Sequence, residues 1–196
     1  MLFDTGCGTS MLSPKVGAKG KLVAKVKCAS ASGILGKTLE VLALGPVDFS
    51  PFKSDTAEFI IEDHEYFNEI NIDGVLGQNI LFKNTLTLNF ADDLVNTTES
   101  PILEGLPFDI KAGSIFFDAK INDNNVESFI FDTGATVLQV DLEIARKLGL
   151  PVSNEPSHIL PIEDANGNVL ENRPHMIDSF SLGPIKKENF VAYSYD

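Results

Sequence analysis

The tetrapeptide Phe-Asp-Thr-Gly occurs twice, as Phe3-Asp4-Thr5-Gly6 and as Phe131-Asp132-Thr133-Gly134. A second marker repeats in the same order. Leu44-Gly45-Pro46-Val47 is followed after four residues by Phe52, and Leu182-Gly183-Pro184-Ile185 after four residues by Phe190. Ordered recurrence of this kind marks a duplicated unit, so the chain is expected to build two related halves. The interval from Asp4 to Leu44 is ten residues shorter than that from Asp132 to Leu182. The longer copy has room for a short helix over 141–149. Asp141 suits its N-cap, Leu142, Ala145 and Leu148 share a face, Arg146 and Lys147 suit the last turn, and Gly149 and Pro151 stop it. The equivalent stretch of the first copy, 10–17, is too short and too interrupted for the same helix.

Most other segments read as strands. Residues 114–121 and 126–131 flank the turn cluster 122–125 and predict a hairpin running into the second Asp-Thr-Gly. Asn166-Gly167 is a tight-turn signal, with strand material at 168–171 and 175–182. In the first copy, 39–44, 56–61 and 85–90 read as strands. The stretch 92–107, rich in Asn, Thr, Ser and Pro, reads as a linker. The expectation is a mainly β chain with short helices in two lobes, 1–95 and 108–196, joined by a linker at 96–107.

Composition excludes some classes. The chain has 196 residues, 43% of them hydrophobic, enough to bury a core in one domain or two small lobes. Its net charge of −13 argues against nucleic acid as a partner, since phosphate binding needs clustered Lys and Arg. The acidity reads as a solvated surface, with tolerance of mildly acidic media as the functional alternative. Cys7 and Cys28 make no disulfide framework, and no His/Cys cluster suggests a metal or other cofactor. No apolar run approaches a membrane span. Met1 lies three residues before Asp4, which leaves the expectation that this sequence carries no signal peptide. His64, His158 and His175 stand in polar contexts and read as surface or turn residues. The acidic residues 62–65 read as a solvated loop, and 164–168 as a hairpin turn rather than a calcium loop. Cys7 reads as a small packed hydrophobe.

The repeated tripeptide suits one kind of chemistry. Two carboxyl groups close enough to share a proton cannot both ionise, so one pKa rises and the other falls. Such a pair supplies both a base to activate water and an acid to protonate a carbonyl or a leaving amine. Thr can lock each loop through its hydroxyl, and Gly permits close backbone approach.

Here the sequence resembles the bacterial aspartyl-protease families related to retropepsins. The second half carries Phe131-Asp-Thr-Gly-Ala135, Arg146-Lys-Leu-Gly-Leu150, Asn166-Gly167 and Ser181-Leu-Gly183 in the family's order. The family's next segment, Asp-Gly-Ile-Leu-Gly opening a helix before a strand, is found in the first copy as Asp73-Gly-Val-Leu-Gly77, followed by 78–82 and 85–90. The resemblance covers nearly the whole chain. It implies pseudo-symmetric acid-protease lobes of the retropepsin/pepsin type, each a closed β-barrel with short helices. It implies an aspartic endopeptidase acting on a peptide or protein substrate through water activated by an Asp4/Asp132 dyad, with no metal and no covalent intermediate. By the same resemblance Thr5 and Thr133 form an inter-lobe grip of reciprocal hydrogen bonds, and Gly6 and Gly134 shape the loops. Val75, Leu76 and Gly77 would pack beneath the Asp loop. Ser32-Gly33 and Asn166-Gly167 are candidate flap tips, with extended peptide lying between the lobes. The family favours a secreted or periplasmic setting.

Two departures stand out. Cys7 follows the first Asp-Thr-Gly, where the family has Ala or Ser. The first lobe also lacks a strand hairpin before Asp4, and the second lacks its terminal Leu-Gly helix and strand. The expectation is a truncated chain, with a permuted form in which the halves complete one another as the alternative. Two further functions remain open from sequence: a retropepsin-like module that binds peptide or another subunit without catalysis, and a homodimer whose dyad is two copies of Asp132.

Overall fold

The computed structural model describes residues 1–16, 19–29, 35–98, 105–111, 113–153, 155–164 and 168–195. The chain folds as two compact units. The first comprises Met1–Val26, Thr38–Ile115 and Ile130–Gly134, and the second Lys27–Lys37, Phe116–Phe129 and Ala135–Asp196. The flap-tip candidates Ser32-Gly33 and Asn166-Gly167 lie outside the described residues. Both units are mainly β with a few short helices.

The strands lying wholly or mostly in the first unit are β1 (Leu2–Phe3), β2 (Met11–Leu12), β3 (Lys21–Ala29), β4 (Leu35–Leu44), β5 (Val47–Phe49), β6 (Phe52–Ser54), β7 (Ala57–Ile61), β8 (Gly74–Leu76), β9 (Thr85–Asn89), β10 (Leu94–Thr98) and β11 (Asp109–Lys111). Six of them form one sheet in the order β1-β8-β2-β7-β4-β3. The inner strand β8 is buried at every position, which fits its unbroken Gly-Val-Leu sequence. By contrast β7 turns Glu58 to solvent and buries Phe59 and Ile60 against the core. Leu12, Leu44, Phe52, Ala57, Phe59, Leu76, Ile80 and Leu81 make that core. Phe3 packs on it, its ring 5.8 Å from that of Phe52. Two α-helices complete the unit, α1 (Glu65–Glu69) and α2 (Gln78–Leu81).

Two readings of this region change. The acidic stretch 62–65 is not wholly loop, because Glu65 opens α1. His64 caps that helix by accepting from the Tyr66 N–H, and buried Phe67 pins the helix to the unit. Leu94–Thr98, read as part of the linker, pairs antiparallel with β9 from Leu94 opposite Asn89 to Thr98 opposite Thr85. Val95, Thr97 and Thr98 are β-branched and favour that strand despite the polar composition around them.

The second unit is built on β12 (Ser114–Ile121), β13 (Asn124–Ile130), β14 (Leu160–Glu163), β15 (Val169–Leu182) and β16 (Ile185–Tyr195), with α3 (Leu142–Lys147). The chain passes from one unit to the other within β3, β4, β12 and β13, and again after Gly134. Asn122 and Asp123 adopt positive φ in the turn between β12 and β13, as Asn and Asp tolerate best. α3 matches its expected caps: the Asp141 carboxylate accepts from Glu143 N at 2.8 Å and Ile144 N at 3.2 Å. Ile121, Val126, Val140, Ala145, Leu150, Ile177 and Ala192 form the core. The repeated Leu-Gly-Pro marker does different work in the two copies. Leu182 and Ile185 face each other across a hairpin whose strands continue to Tyr195. In the first copy Pro51 has no N–H to continue a ladder, and the chain turns back so that Phe49 faces Phe52. Among the described residues no helix is long and apolar enough to cross a membrane.

His175 is not a surface residue. It is 1% exposed, on the same strand face as fully buried Ile177. Apolar Met176, 54% exposed between them, disguises the alternation. Nδ1 lies 3.2 Å from the Pro151 carbonyl oxygen, which can only accept, so Nδ1 carries the proton. Nε2 is then the acceptor for the Ser194 hydroxyl at 2.6 Å. Burial holds the imidazole below its ordinary pKa of 6.5. The unfolded chain therefore takes up this proton at higher pH than the folded one. The resulting stability is present above about pH 6.5 and lost as pH falls below it. Urea unfolding midpoints at pH 7.5, 6.5 and 5.5 should fall with acid more steeply in the wild type than in His175→Gln. Equal slopes would refute this account.

Candidate active site

Both Asp-Thr-Gly loops belong to the first unit, because Ile130–Gly134 packs there. The two threonines bind one another reciprocally. Thr5 N donates to Thr133 Oγ1 at 3.1 Å, and Thr133 N donates to Thr5 Oγ1 at 3.0 Å. Each hydroxyl then donates onward to the carbonyl before the other loop's Asp: Thr5 Oγ1 to Phe131 O and Thr133 Oγ1 to Phe3 O, both at 2.9 Å. Thr5 is 1% exposed.

The Asp4 loop, which has only three residues before it, is held by other parts of the chain. Leu2 and Phe3 pair in parallel with Val75 and Leu76, and Asp4 N donates to Leu76 O at 3.0 Å. Val75–Gly77 thus lies directly against the loop. Below it, Ser10 N and Oγ both donate to Asn79 Oδ1, at 2.9 and 2.7 Å, and Gly77 N donates to Ser10 Oγ at 2.9 Å. Asn79 Nδ2 ties this brace to Glu58 O at 2.7 Å. Gln78 N donates to Cys7 O at 2.8 Å. The partly buried Cys7 thiol donates to Thr9 O at 3.1 Å. The Asp132 loop is anchored by Phe131 N donating to Ile115 O at 3.0 Å.

The loops approach so closely that a side chain at either third position would displace the aspartate of the other loop. A Cβ on Gly6 would stand 2.5 Å from Asp132 Cγ, and one on Gly134 would stand 2.7 Å from Asp4 Cγ. The two carboxyl groups thus share one small space, but not one environment. Asp4 is half-buried, and its Oδ1 accepts from Gly6 N at 2.8 Å and Cys7 N at 2.9 Å. Asp132 is exposed, and its Oδ1 accepts from Gly134 N at 2.8 Å. Burial first, then the charge of Asp132 and a hydrogen bond with its side chain, push the Asp4 carboxyl up to about 6, against the pull of the two N–H donors. A half-buried carboxyl beside an exposed one can hold a proton near neutrality and present it to a bound oxygen. Among the described residues, no group of three or more His, Cys, Asp or Glu could hold a metal ion.

Sequence reasoning singled out Asp4, Asp132, Thr5, Thr133, Gly6 and Gly134, and these residues converge. It missed Ser10, Gln78 and Asn79. The available signal was two polar residues, Gln78 and Asn79, set inside the otherwise apolar run from Val75 to Phe82.

A family model described as aspartyl protease matches residues 117–196. The match supports an aspartyl-protease-like family, and hydrolase chemistry of the protease kind in general. It takes in Asp132 and stops short of Asp4. Neither a curated protein nor a solved structure gives a match.

Two outcomes follow from this geometry. Thr5→Val should destabilise the first unit by about 1–3 kcal/mol for each of the two groups it orphans, Phe131 O and Thr133 N, whereas Thr5→Ser should retain most of the stability. Chemical denaturation compares them, and equal losses would show that the hydroxyl bonds contribute little. In Asp132→Asn, the Asp4 carboxyl should titrate below about 6, since the neighbouring charge is gone, and still above 3.8, since burial remains. Carbon-detected NMR of the carboxyl reads this directly.

Proposed function

We propose that the chain is an aspartic endopeptidase whose Asp4 and Asp132 carboxyls form the catalytic pair. The observation that carries the reading is the approach of these two side chains on loops locked by reciprocal threonine hydrogen bonds. The match of residues 117–196 to an aspartyl protease family supports a peptide or protein as substrate. In the singly protonated pair, the carboxylate takes a proton from a bound water as its oxygen attacks the peptide carbonyl carbon. The protonated carboxyl gives its proton to the carbonyl oxygen. Collapse of the resulting gem-diol returns one proton to the pair, breaks the C–N bond and releases the amine with the other. The protons move within the pair, so the titration belongs to both groups together. The retropepsin-like architecture of two pseudo-symmetric lobes is part of the same proposal.

Asp4→Asn and Asp132→Asn should each reduce peptide cleavage by about 10²–10⁴-fold or more, with little change in folding. Wild-type activity should decline as pH rises through about 6, where the pair loses its shared proton. Full cleavage by Asp132→Asn would sink the reading, and a wild type that binds peptide without cleaving it would favour a peptide-binding module of the same family.

A further inference from the structure

Gln78 is 5% exposed, at the first position of α2. Its side-chain Nε2 donates to the Thr5 carbonyl at 2.6 Å, within buried surroundings. With Thr5 N and Oγ1 already engaged by Thr133 and Phe131, this bond satisfies the last polar group of Thr5. The orientation of the amide follows from its partner, since a carbonyl oxygen can only accept. The cost falls at the other end. Gln78 Oε1 is buried with no hydrogen-bond partner among the described residues. It faces Gly113, where a Cβ would come within 2.8 Å of it. An orphaned buried acceptor is unfavourable. Met or Leu would fill the same volume without that penalty, so the amide is kept for what its NH₂ group does.

The Thr5 carbonyl and the Gly6 N–H belong to one planar peptide unit, and turning one turns the other. Gly6 N–H is a donor to Asp4 Oδ1 at 2.8 Å. We propose that Gln78 is a positioning residue for the proposed peptidase reaction, holding the Thr5–Gly6 peptide plane so that the Gly6 N–H stays aimed at the Asp4 carboxyl. The anchor is itself fixed, because Gln78 N is bonded to Cys7 O and the adjoining Gly77 and Asn79 are tied to Ser10. Among the described residues, no side chain does the same for the Thr133 carbonyl. Gln78 therefore acts on one member of the pair only, and makes the two loops unequal although their sequences repeat.

The test compares wild type, Gln78→Met and Gln78→Glu in the full chain. Met preserves volume and keeps water out, so loss of the amide should act through the peptide plane alone. The Gly6 N–H bond favours the ionised carboxyl, so in Gln78→Met the Asp4 titration should move upward from about 6. The Gly6 amide proton shift should cease to follow that titration. Cleavage should fall about tenfold in kcat with KM unchanged. Gln78→Glu should be rescued by acid: protonated, its O–H can donate to Thr5 O, and ionised, it repels that oxygen. Its activity and its Gly6 signal should approach wild type at low pH and depart from it as pH rises. An Asp4 titration and Gly6 response unchanged in both variants would overturn the inference. So would loss of the fold in both, since Gln78 would then be a general structural residue. The NMR readouts require no catalysis. An inactive wild type would end the peptidase reading while leaving Gln78 to be judged. Unchanged Gln78 variants of an active, Asp132-dependent enzyme would end only this inference.

Discussion

The exchange of backbone and hydroxyl hydrogen bonds between Thr5 and Thr133 is the constraint on which the site depends. Four bonds tie two loops separated by 128 residues of sequence, and they fix the carbonyls of Phe3 and Phe131 immediately before each aspartate. The carboxyls then have little freedom to move apart. Burial, and after it the charge of Asp132, raise the proton affinity of Asp4. Small residues at Gly6 and Gly134 are the steric condition for that approach. The apolar cluster around Phe52, Phe59 and Leu76 stiffens the first unit beneath it.

Around this nearly symmetric lock the environment is unequal. Phe3 packs on the core, whereas Phe131 is 41% exposed. Asp4 is half-buried with two backbone donors at Oδ1, and Asp132 stands in solvent with one. The two chemically identical groups therefore stand in different surroundings although their loops repeat in sequence. The second turn of the repeat diverges similarly: a proline at position 51 redirects the first copy, while the second runs on as the long hairpin of β15 and β16.

Much of this was legible because it is local. The cap of α3 by Asp141, the hairpin leading to Asp132, and the strands at 57–61 and 85–89 follow from periodicity and turn chemistry over a few residues. The identity of the loop residues was legible from repetition. What could not be read is what distant segments do for one another. Asp4 has no local support in the sequence, and its foundation comes from pairing with β8, the Ser10–Asn79 brace and the threonine lock. His175 escaped because a neighbouring exposed Met176 broke the alternation that would have turned it inward. Leu94–Thr98 escaped because its Asn and Thr content resembles a linker, and its strand character depends on the partner it finds at β9.

The placement of Ile130–Gly134 has a further consequence during synthesis. The segment that completes the first unit, Ile130–Gly134, leaves the ribosome only after residues 38–115 of that unit and 116–129 of the other. Until then Thr5 has no hydroxyl to meet and Asp4 has no second carboxyl beside it. Closing contacts over such a span carries a loop entropy that local elements avoid. The nascent first unit can gather its apolar core early while its paired carboxyls remain unassembled. The order of the chain thereby delays the meeting of its two aspartate loops.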